Sequence, residues 1–451
     1  MVNKFLIKTK IIVTANKNGD VLFDHAVAVE NGAITEIRPA HDFNESDFEK
    51  VYDFGNYALI PGFIQTHVHL CQTLFRGLAD DLELLDWLQK HIFPYELSHS
   101  EDSLRASARL GIYELQTGGT TTLLDMGTMN HQHAVFDELI SSGMRAFAGK
   151  CMIDENDLLA PFKEPTKNSL EESYALAKKF HGAENGRINY AFAPRFVLSC
   201  SEELLVETAR MQKDFPGALY HTHSSENKGE IEAVRKKTGM ENIEYFDSIG
   251  ILGKETILAH GIHVNEKEIE ILKRTETRIS HCPSANLKLA SGTANIPRYL
   301  DEGISVSLGA DGPPCNNNLS MFTEMRLASL IQKPLHGPTV MDAETVFRLA
   351  TIEGARALGI DEKVGSVEIG KKADLVALDL DNPEQPLLVD EKNVYSAIVY
   401  STSAKHVKEV FIDGKHVVSE GKSLVYDKNE IFAKGKEELK SLLKRAEDFF
   451  E

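Results

Sequence analysis

Two patterns of apolar and polar positions divide the chain. At both ends, short runs alternate apolar with polar residues. Residues 5–14 are β-branched and alternating, and Asn18-Gly19-Asp20 and Asn31-Gly32 stand between such runs. Alternation punctuated by Asn-Gly predicts strands joined by tight hairpins. The style returns at 373–380, 407–412 and 416–418, with Asp413-Gly414 as a further turn. The two ends therefore read as pieces of one small β unit. Between them the alternation gives way to eight continuous apolar runs, at 59–70, 120–125, 145–152, 188–193, 219–223, 256–260, 278–282 and 305–311. Helix-period stretches such as 102–116, 202–211 and 321–331 lie between the runs. Continuous runs suit strands buried on both faces, and their alternation with helices predicts an α/β fold with a parallel sheet. Eight repeats favour a closed barrel over an open doubly wound sheet. Residues 429–451, rich in Lys and Glu with apolar residues at helical spacing, predict a solvated surface helix.

Length, composition and charge narrow the classes. A chain of 451 residues suits a large barrel plus something smaller. With 42% hydrophobic and 26% charged residues it has a globular rather than a disordered balance. A formal charge of −19 argues against a sequence-independent grip on nucleic acid and leaves a small neutral or cationic ligand as the better partner. No run of 18 apolar residues suggests a membrane span, and the first ten residues lack the apolar core of a signal peptide. The five cysteines form no C-x-x-C pair, so neither a disulfide framework nor a thiolate zinc site is expected. A cytoplasmic setting and a homo-oligomer are the expectations.

The chemistry lies in where polar residues interrupt the apolar runs. Active sites of (β/α)8 barrels are built at the C-terminal ends of the strands. Here the first run ends in His67-Val68-His69 and the fifth in His221-Thr222-His223, with Glu226 three residues on. The sixth ends in His260, the seventh in His281 and the eighth in Asp311. Strand side chains alternate, so His67 and His69 face the same side and can share one cation. His223 and Asp311 can complete a set of neutral nitrogen donors and one carboxylate. A lone His-x-His is weak; four run ends in His and a fifth in Asp is a joint pattern that points to metal. A divalent cation lowers the pKa of bound water to roughly 7. Glu226 is then expected as the general acid/base, the alternative being a first-turn helix carboxylate. His260 is expected to orient the attacked group, and Asp311 to accept a proton as well as bind metal. His99, His131, His133, His181, His336 and His416 are expected to be ordinary core or surface residues.

This pattern resembles the aminohydrolase branch of the amidohydrolase superfamily, which includes methylthioadenosine/S-adenosylhomocysteine, 5′-deoxyadenosine, guanine and cytosine deaminases and triazine hydrolases. The resemblance runs from Pro61-Gly62-Phe63-Ile64-Gln65-Thr66-His67-Val68-His69 through the segment 370–374. It implies a distorted (β/α)8 TIM barrel beside a small β-sandwich formed by both chain ends. The corresponding boundaries are 1–57 with 366–425 for the sandwich, 58–365 for the barrel and 426–451 for a C-terminal helix. It also implies His67, His69, His223 and Asp311 as metal ligands, Glu226 as proton shuttle and His260 as the sixth-strand histidine. Two-metal members carry a carboxylated lysine on the fourth strand. The run from Ile188 to Arg195 has none, so one divalent ion is expected, zinc first and iron second.

Substrate choice divides the signals. The segment 74–81, Trp87 and Glu96 resemble adenosine-type deaminases, in which the residue matching Glu96 contacts ribose hydroxyls and Trp87 packs near the ligand. A carboxylate can accept from both hydroxyls of a diol. Trp87 as core and Glu96 as a helix cap are the structural alternatives. Gln72 and Arg195 instead match positions that read the base in guanine deaminases, and Arg195 can donate to a purine O6 or N7. The loop 312–318 does not resemble that of guanine deaminases. The reading that follows is a hydrolytic deaminase of a purine ring, foremost an adenine nucleoside such as 5′-deoxyadenosine, methylthioadenosine or S-adenosylhomocysteine. Guanine or 8-oxoguanine deaminase and a triazine-type hydrolase are the alternatives. A non-enzymatic assembly protein is disfavoured, because every ligand position and the acid/base are retained.

Overall fold

The computed structural model describes residues 3–388 and 392–449. Its described residues fall into two compact units. One comprises those of Met1–Gln65, Tyr113–Thr122 and Ser320–Asp427, the other those of Thr66–Ile112, Leu123–Leu319 and Lys428–Glu451.

The unit holding the chain ends is organised on a nine-stranded sheet. Lys4–Val13 pairs antiparallel with Val21–Glu30, which pairs with Ala33–Pro39; on its other side it runs parallel to both Lys50–Asp53 and Ala58–Pro61. Leu375–Leu378 adds antiparallel to Ala58–Pro61 and is followed by Val407–Ile412, Lys415–Ser419 and Lys422–Ser423. The first and last parts of the chain thus share one sheet, as the alternation predicts. Asn31-Gly32, Asp413-Gly414 and Glu420-Gly421 are its two-residue turns, with φ of 51° at Asn31, 52° at Asp413 and 50° at Glu420. Positive φ at both central positions gives the turn twist that matches paired strands. Phe5, Ile7, Val27, Leu59, Leu375 and Phe411 form the core of one face. The helices Met321–Leu330, Ala343–Leu349 and Ile352–Ala357 belong to the same unit.

The second sheet is parallel. Its order runs through Phe63–Val68, Thr120–Met126, Arg145–Gly149, Ile188–Pro194, Leu219–Ser224, Thr256–His260, Arg278–His281 and Val306–Leu308, eight strands in sequence order. Every run expected from the sequence supplies one. A parallel bridge between Val68 and Asp311 joins the last strand region to the first, and Asp311 N–H donates to His67 O at 3.0 Å. The barrel therefore closes through two residues of the candidate site.

The first apolar run is where structure and expectation part. It supplies two strands: Ala58–Pro61 pairs in the chain-end sheet, and Phe63–Val68 opens the barrel. Gly62 is the break. A Cβ there would meet the Thr121 side chain at 2.1 Å, so only glycine lets the chain change sheets at this point. The C-terminal helix Lys428–Ala446 also differs from its expectation. It is not solvated all round: Leu442 and Ala446 are fully buried against Leu74, Phe75 and Tyr95, and Arg445 donates to Ser98 O and Ser103 Oγ. The helix props the segment that carries Gln72, Trp87 and Glu96.

Candidate metal centre and active site

His67, His69, His223 and Asp311 converge at the C-terminal ends of barrel strands one, five and eight. One donor atom from each lies within 4.8 Å of the others, and all four residues are buried. The hydrogen bonds around them decide which nitrogen faces inward. His69 Nδ1 lies 2.8 Å from Met126 O and His223 Nδ1 lies 2.8 Å from Arg195 O. A carbonyl only accepts, so each Nδ1 carries the proton and each Nε2 a lone pair. His67 reaches the same state through a relay. His221 Nδ1 donates to Ile257 O (3.0 Å), and His221 Nε2 therefore accepts from His67 Nδ1 at 2.8 Å. Burial holds all four imidazoles below their ordinary pKa, in agreement with neutral rings. Burial raises the Asp311 carboxyl, but His67 and the neighbouring histidines outweigh it, and the group is held well below the usual carboxylate range.

The donor set fits a divalent cation. His69 Nε2 and His223 Nε2 stand 3.3 Å apart, lone pair to lone pair. His67 Nε2 and His69 Nε2 lie 3.2 and 3.4 Å from Asp311 Oδ1. Acceptors crowded in this way repel one another unless a positive charge lies among them. The separations equal the roughly 3.3 Å edge of a tetrahedron whose ligands sit about 2.0 Å from a shared ion. His67 Nε2 makes no hydrogen bond among the described residues.

Glu226 and His260 adjoin this set. Glu226 Oε2 lies 3.4 Å from His260 Nε2, and Asp311 Oδ2 lies 3.9 Å from the same nitrogen. Burial pushes the Glu226 carboxyl up to about 7, with the neighbouring His260 opposing. For His260, burial is outweighed by the Glu226 and Asp311 carboxylates, and its pKa rises. Glu226 is not a first-turn helix residue: the helix is Lys228–Thr238, capped by Asn227, and Glu230 takes the first-turn role. Glu230 accepts from the Glu226 and Asn227 N–H groups at 3.0 and 3.4 Å, which fixes the turn that presents Glu226. The backbone is left-handed at Ser225 (φ 54°), His260 (74°) and Asp311 (62°). Such conformations cost of order 1–3 kcal/mol each in non-glycine residues and gather at functional sites.

A cavity opens onto these groups, bounded by Leu84, Trp87, Leu88, Arg195 and Phe196. Trp87 is 4% exposed and belongs to an apolar cluster, yet its Nε1 has no hydrogen-bond partner among the described residues. Trp87 comes from the helical run 84–97, whose middle, Leu88–Ile92, is a π-helical turn; such turns are frequent at functional sites. Arg195 lines the cavity; Gln72 and Glu96 do not. Glu96 lies within the helix Phe93–Leu97 and caps nothing: it is 1% exposed, accepts from Gln72 Nε2 at 2.7 Å and pairs with Arg195 Nη1 at 2.9 Å. A Cβ on residue 312 would fall 1.8 Å from Gln72 Oε1, so a larger residue beside Asp311 would displace the Gln72 amide. Of the residues expected in substrate binding, Trp87, Arg195 and His260 line the cavity, and Gln72 and Glu96 form one buried network with Arg195.

Sequence reasoning missed His221 and Glu230. His221 stood in a visible His-x-His pair, but its role depends on a partner across the barrel. Glu230 carries only a local signal, the Asn-x-x-Glu capping pattern of Asn227 and Glu230.

The model of the amidohydrolase family matches residues 58–417. A 5′-deoxyadenosine deaminase of Methanothermobacter thermautotrophicus is 40% identical over 408 residues, covering 90% of this chain and 92% of its own. A 5-methylthioadenosine/S-adenosylhomocysteine deaminase of Thermococcus onnurineus is 38% identical over 409 residues, covering 88% and 92%. Among solved structures, an adenosine deaminase from Xanthomonas campestris with bound zinc superposes with a TM-score of 0.90 at 29% identity, over 98% of each chain.

Proposed function

The chain belongs to the amidohydrolase family, and from that premise we propose that it is a metal-dependent deaminase of the adenine ring of a nucleoside, releasing ammonia. The observation that carries the reading is the inward-facing Nε2 set of His67, His69 and His223 beside Asp311, with Glu226 at its edge. The names of its relatives, 5′-deoxyadenosine deaminase and 5-methylthioadenosine/S-adenosylhomocysteine deaminase, supply the substrate class. They favour an adenine nucleoside over guanine or a triazine.

His67, His69, His223 and Asp311 would hold one divalent ion, zinc by the chemistry of the donors and by the zinc bound in the Xanthomonas structure. When bound, that ion supplies Lewis acidity and makes water a competent nucleophile at neutral pH. The chain's own groups then handle protons and position. Glu226 takes a proton from the attacking water and passes it to the departing amine. A carboxyl near 7 is suited to both halves of that transfer. His260, once protonated at Nε2, donates from it toward the oxygen that adds at C6, and Asp311 keeps an ionised oxygen beside it. Arg195 offers a donor to a ring nitrogen or ribose oxygen. Trp87 presents its ring face and its unpaired Nε1–H to the ligand, and Glu96 accepts from ribose hydroxyls once it has turned partly from Gln72. A homo-oligomer, testable by light scattering, completes the reading.

The test is ammonia release by separately zinc- and iron-loaded protein from 5′-deoxyadenosine, methylthioadenosine, S-adenosylhomocysteine, adenosine, guanine, 8-oxoguanine and melamine. Adenine nucleosides should exceed the free bases in kcat/KM by at least tenfold. A preference for guanine or 8-oxoguanine would sink the nucleoside assignment and make Gln72 and Arg195 the specificity readers.

A further inference from the structure

We infer that Asn286 is the positioning residue of His260: its side-chain carbonyl takes the Nδ1 proton and thereby aims Nε2 at Glu226. The activity arm of its test rests on the deaminase reading; the spectroscopic arm does not.

His260 ends its strand in left-handed backbone, so regular strand alternation does not set the direction of its ring. Something outside the strand must do so. His260 Nδ1 lies 2.9 Å from Asn286 Oδ1, with the two residues 0% and 1% exposed. Asn286 is itself held by its backbone. It lies in the short helix Pro283–Lys288, its N–H donates to Cys282 O at 3.0 Å, and its carbonyl accepts from Ser291 N–H at 2.9 Å. The side chain is therefore offered to His260 from a fixed platform.

The amide has one oxygen and one nitrogen, and they impose different imidazoles. With Oδ1 toward the ring, Nδ1 keeps a proton in every state that preserves the bond, and Nε2 is the nitrogen free to gain or lose one. With Nδ2 toward the ring, the proton of a neutral imidazole is confined to Nε2, which could then only donate. The first arrangement alone lets His260 take a proton from Glu226 or water and return it without rotating. Other imidazoles of the site follow the same rule by other means. His69, His221 and His223 use the main-chain carbonyls of Met126, Ile257 and Arg195. His260 instead depends on a side chain, so here the choice of tautomer is written into a residue that mutation can change. Asn286 Nδ2 has no hydrogen-bond partner among the described residues. A buried unpaired donor is costly; its retention is accounted for if the carbonyl is what the site needs.

The experiment uses zinc-loaded protein carrying 15N in its histidine rings, with His260 assigned by the signal lost in His260→Gln. The expected result is a slowly exchanging ring N–H at Nδ1 of His260. It should vanish in Asn286→Leu and persist in Asn286→Asp, whose carboxylate can only accept. With 5′-deoxyadenosine, Asn286→Leu should lower kcat about 100-fold while KM changes less than about threefold, and Asn286→Asp should recover kcat to within about tenfold of the original. Zinc content unchanged in both variants, with melting lowered by no more than about 5 °C, separates positioning from folding. Protonation of the unaltered His260 at Nε2 instead of Nδ1 would overturn the inference, as would an Asn286→Leu protein that keeps kcat within twofold. Should Asn286→Leu fail to fold, the ring signal of the unaltered protein decides. Should no nucleoside be turned over at all, the deaminase reading falls and the same signal still decides this one.

Discussion

On the strand side of the cavity, His69 and His223 commit Nδ1 to main-chain carbonyls and keep Nε2 facing inward, unprotonated. In the wall behind Arg195, Glu96 commits both carboxylate oxygens, one to Gln72 and one to Arg195. The strand side holds imidazole nitrogens to which no group among the described residues donates, crowded with Asp311 Oδ1 to 3.2–3.4 Å. The Glu96 carboxylate is satisfied by its neighbours, and what this side turns to the cavity is an apolar and aromatic surface with Arg195 and the Trp87 Nε1–H. An arrangement that is unstable by itself is explained by a ligand from outside the chain. An arrangement that is already complete contributes shape, and contributes polar recognition only by loosening bonds it has. Alterations to the strand side should therefore cost function with little stability, and alterations to the wall should cost both.

The largest effect is expected from His223→Ala. Zinc, measured by elemental analysis, should be lost, and ammonia release should fall on the order of 10³–10⁴-fold, with little change in the melting of metal-free protein. Retention of one tightly held zinc would break the comparison at its foundation. Glu226→Gln should lower kcat by about 10²–10⁴-fold with zinc content intact; zinc lost together with activity would mean that Glu226 belongs to the donor set. His221→Phe removes the acceptor that fixes the His67 tautomer. Its zinc affinity, read by competition with a chelator, should fall about 10–100-fold, and an unchanged affinity would dissolve the relay. On the wall, Glu96→Gln leaves the Arg195 guanidinium buried opposite a neutral amide. It should destabilise the protein by about 3–5 kcal/mol in denaturant titration and raise KM for nucleosides roughly tenfold more than for free bases. Equal changes in KM would remove the ribose contact.

A titration remote from both regions gives the smallest effect and a baseline. Burial pushes the Glu268 carboxyl up to about 7, even though it accepts from the Asn265 and Ile243 N–H groups. A carboxyl raised on folding binds its proton more tightly in the native state. Its contribution to stability is therefore present at low pH and lost as pH rises from about 4.3, the unfolded value, through about 7. Glu268→Gln should flatten the fall in urea midpoint between pH 5 and pH 8. An unaltered slope would show that the group is already ionised at pH 5.

Much of the strand side was legible in the sequence because each donor sits at the end of an apolar run, and run ends are local. His67 and His69 share a face by alternation, and Glu226 follows His223 by three residues. The wall was legible only as an inventory. Gln72, Glu96 and Arg195 lie 24 and 99 residues apart in the two pairings that join them, and no periodicity brings such residues together. Without a partner in view, Glu96 reads as a ribose contact or a cap; with Arg195 in view it is half of a buried ion pair. The C-terminal helix shows the same limit. Its charge pattern reads as a solvated surface, and only the packing of Leu442 against Leu74, Phe75 and Tyr95 makes it a support of the wall.

By itself the sequence determined the eight parallel strands, the sheet shared by the chain ends, and the identity of the donor atoms that gather at the strand ends. Period and punctuation are properties of neighbouring residues, and a barrel carries strand ends to one rim whatever else the chain does. The tertiary structure alone decided which nitrogen of each imidazole faces inward, that Gly62 passes the chain from one sheet to the other, and that Glu96 is tied to Arg195. Those outcomes depend on which carbonyl, amide or guanidinium arrives from a distant part of the chain, and hydrogen-bond partners across a barrel leave no periodic trace along it.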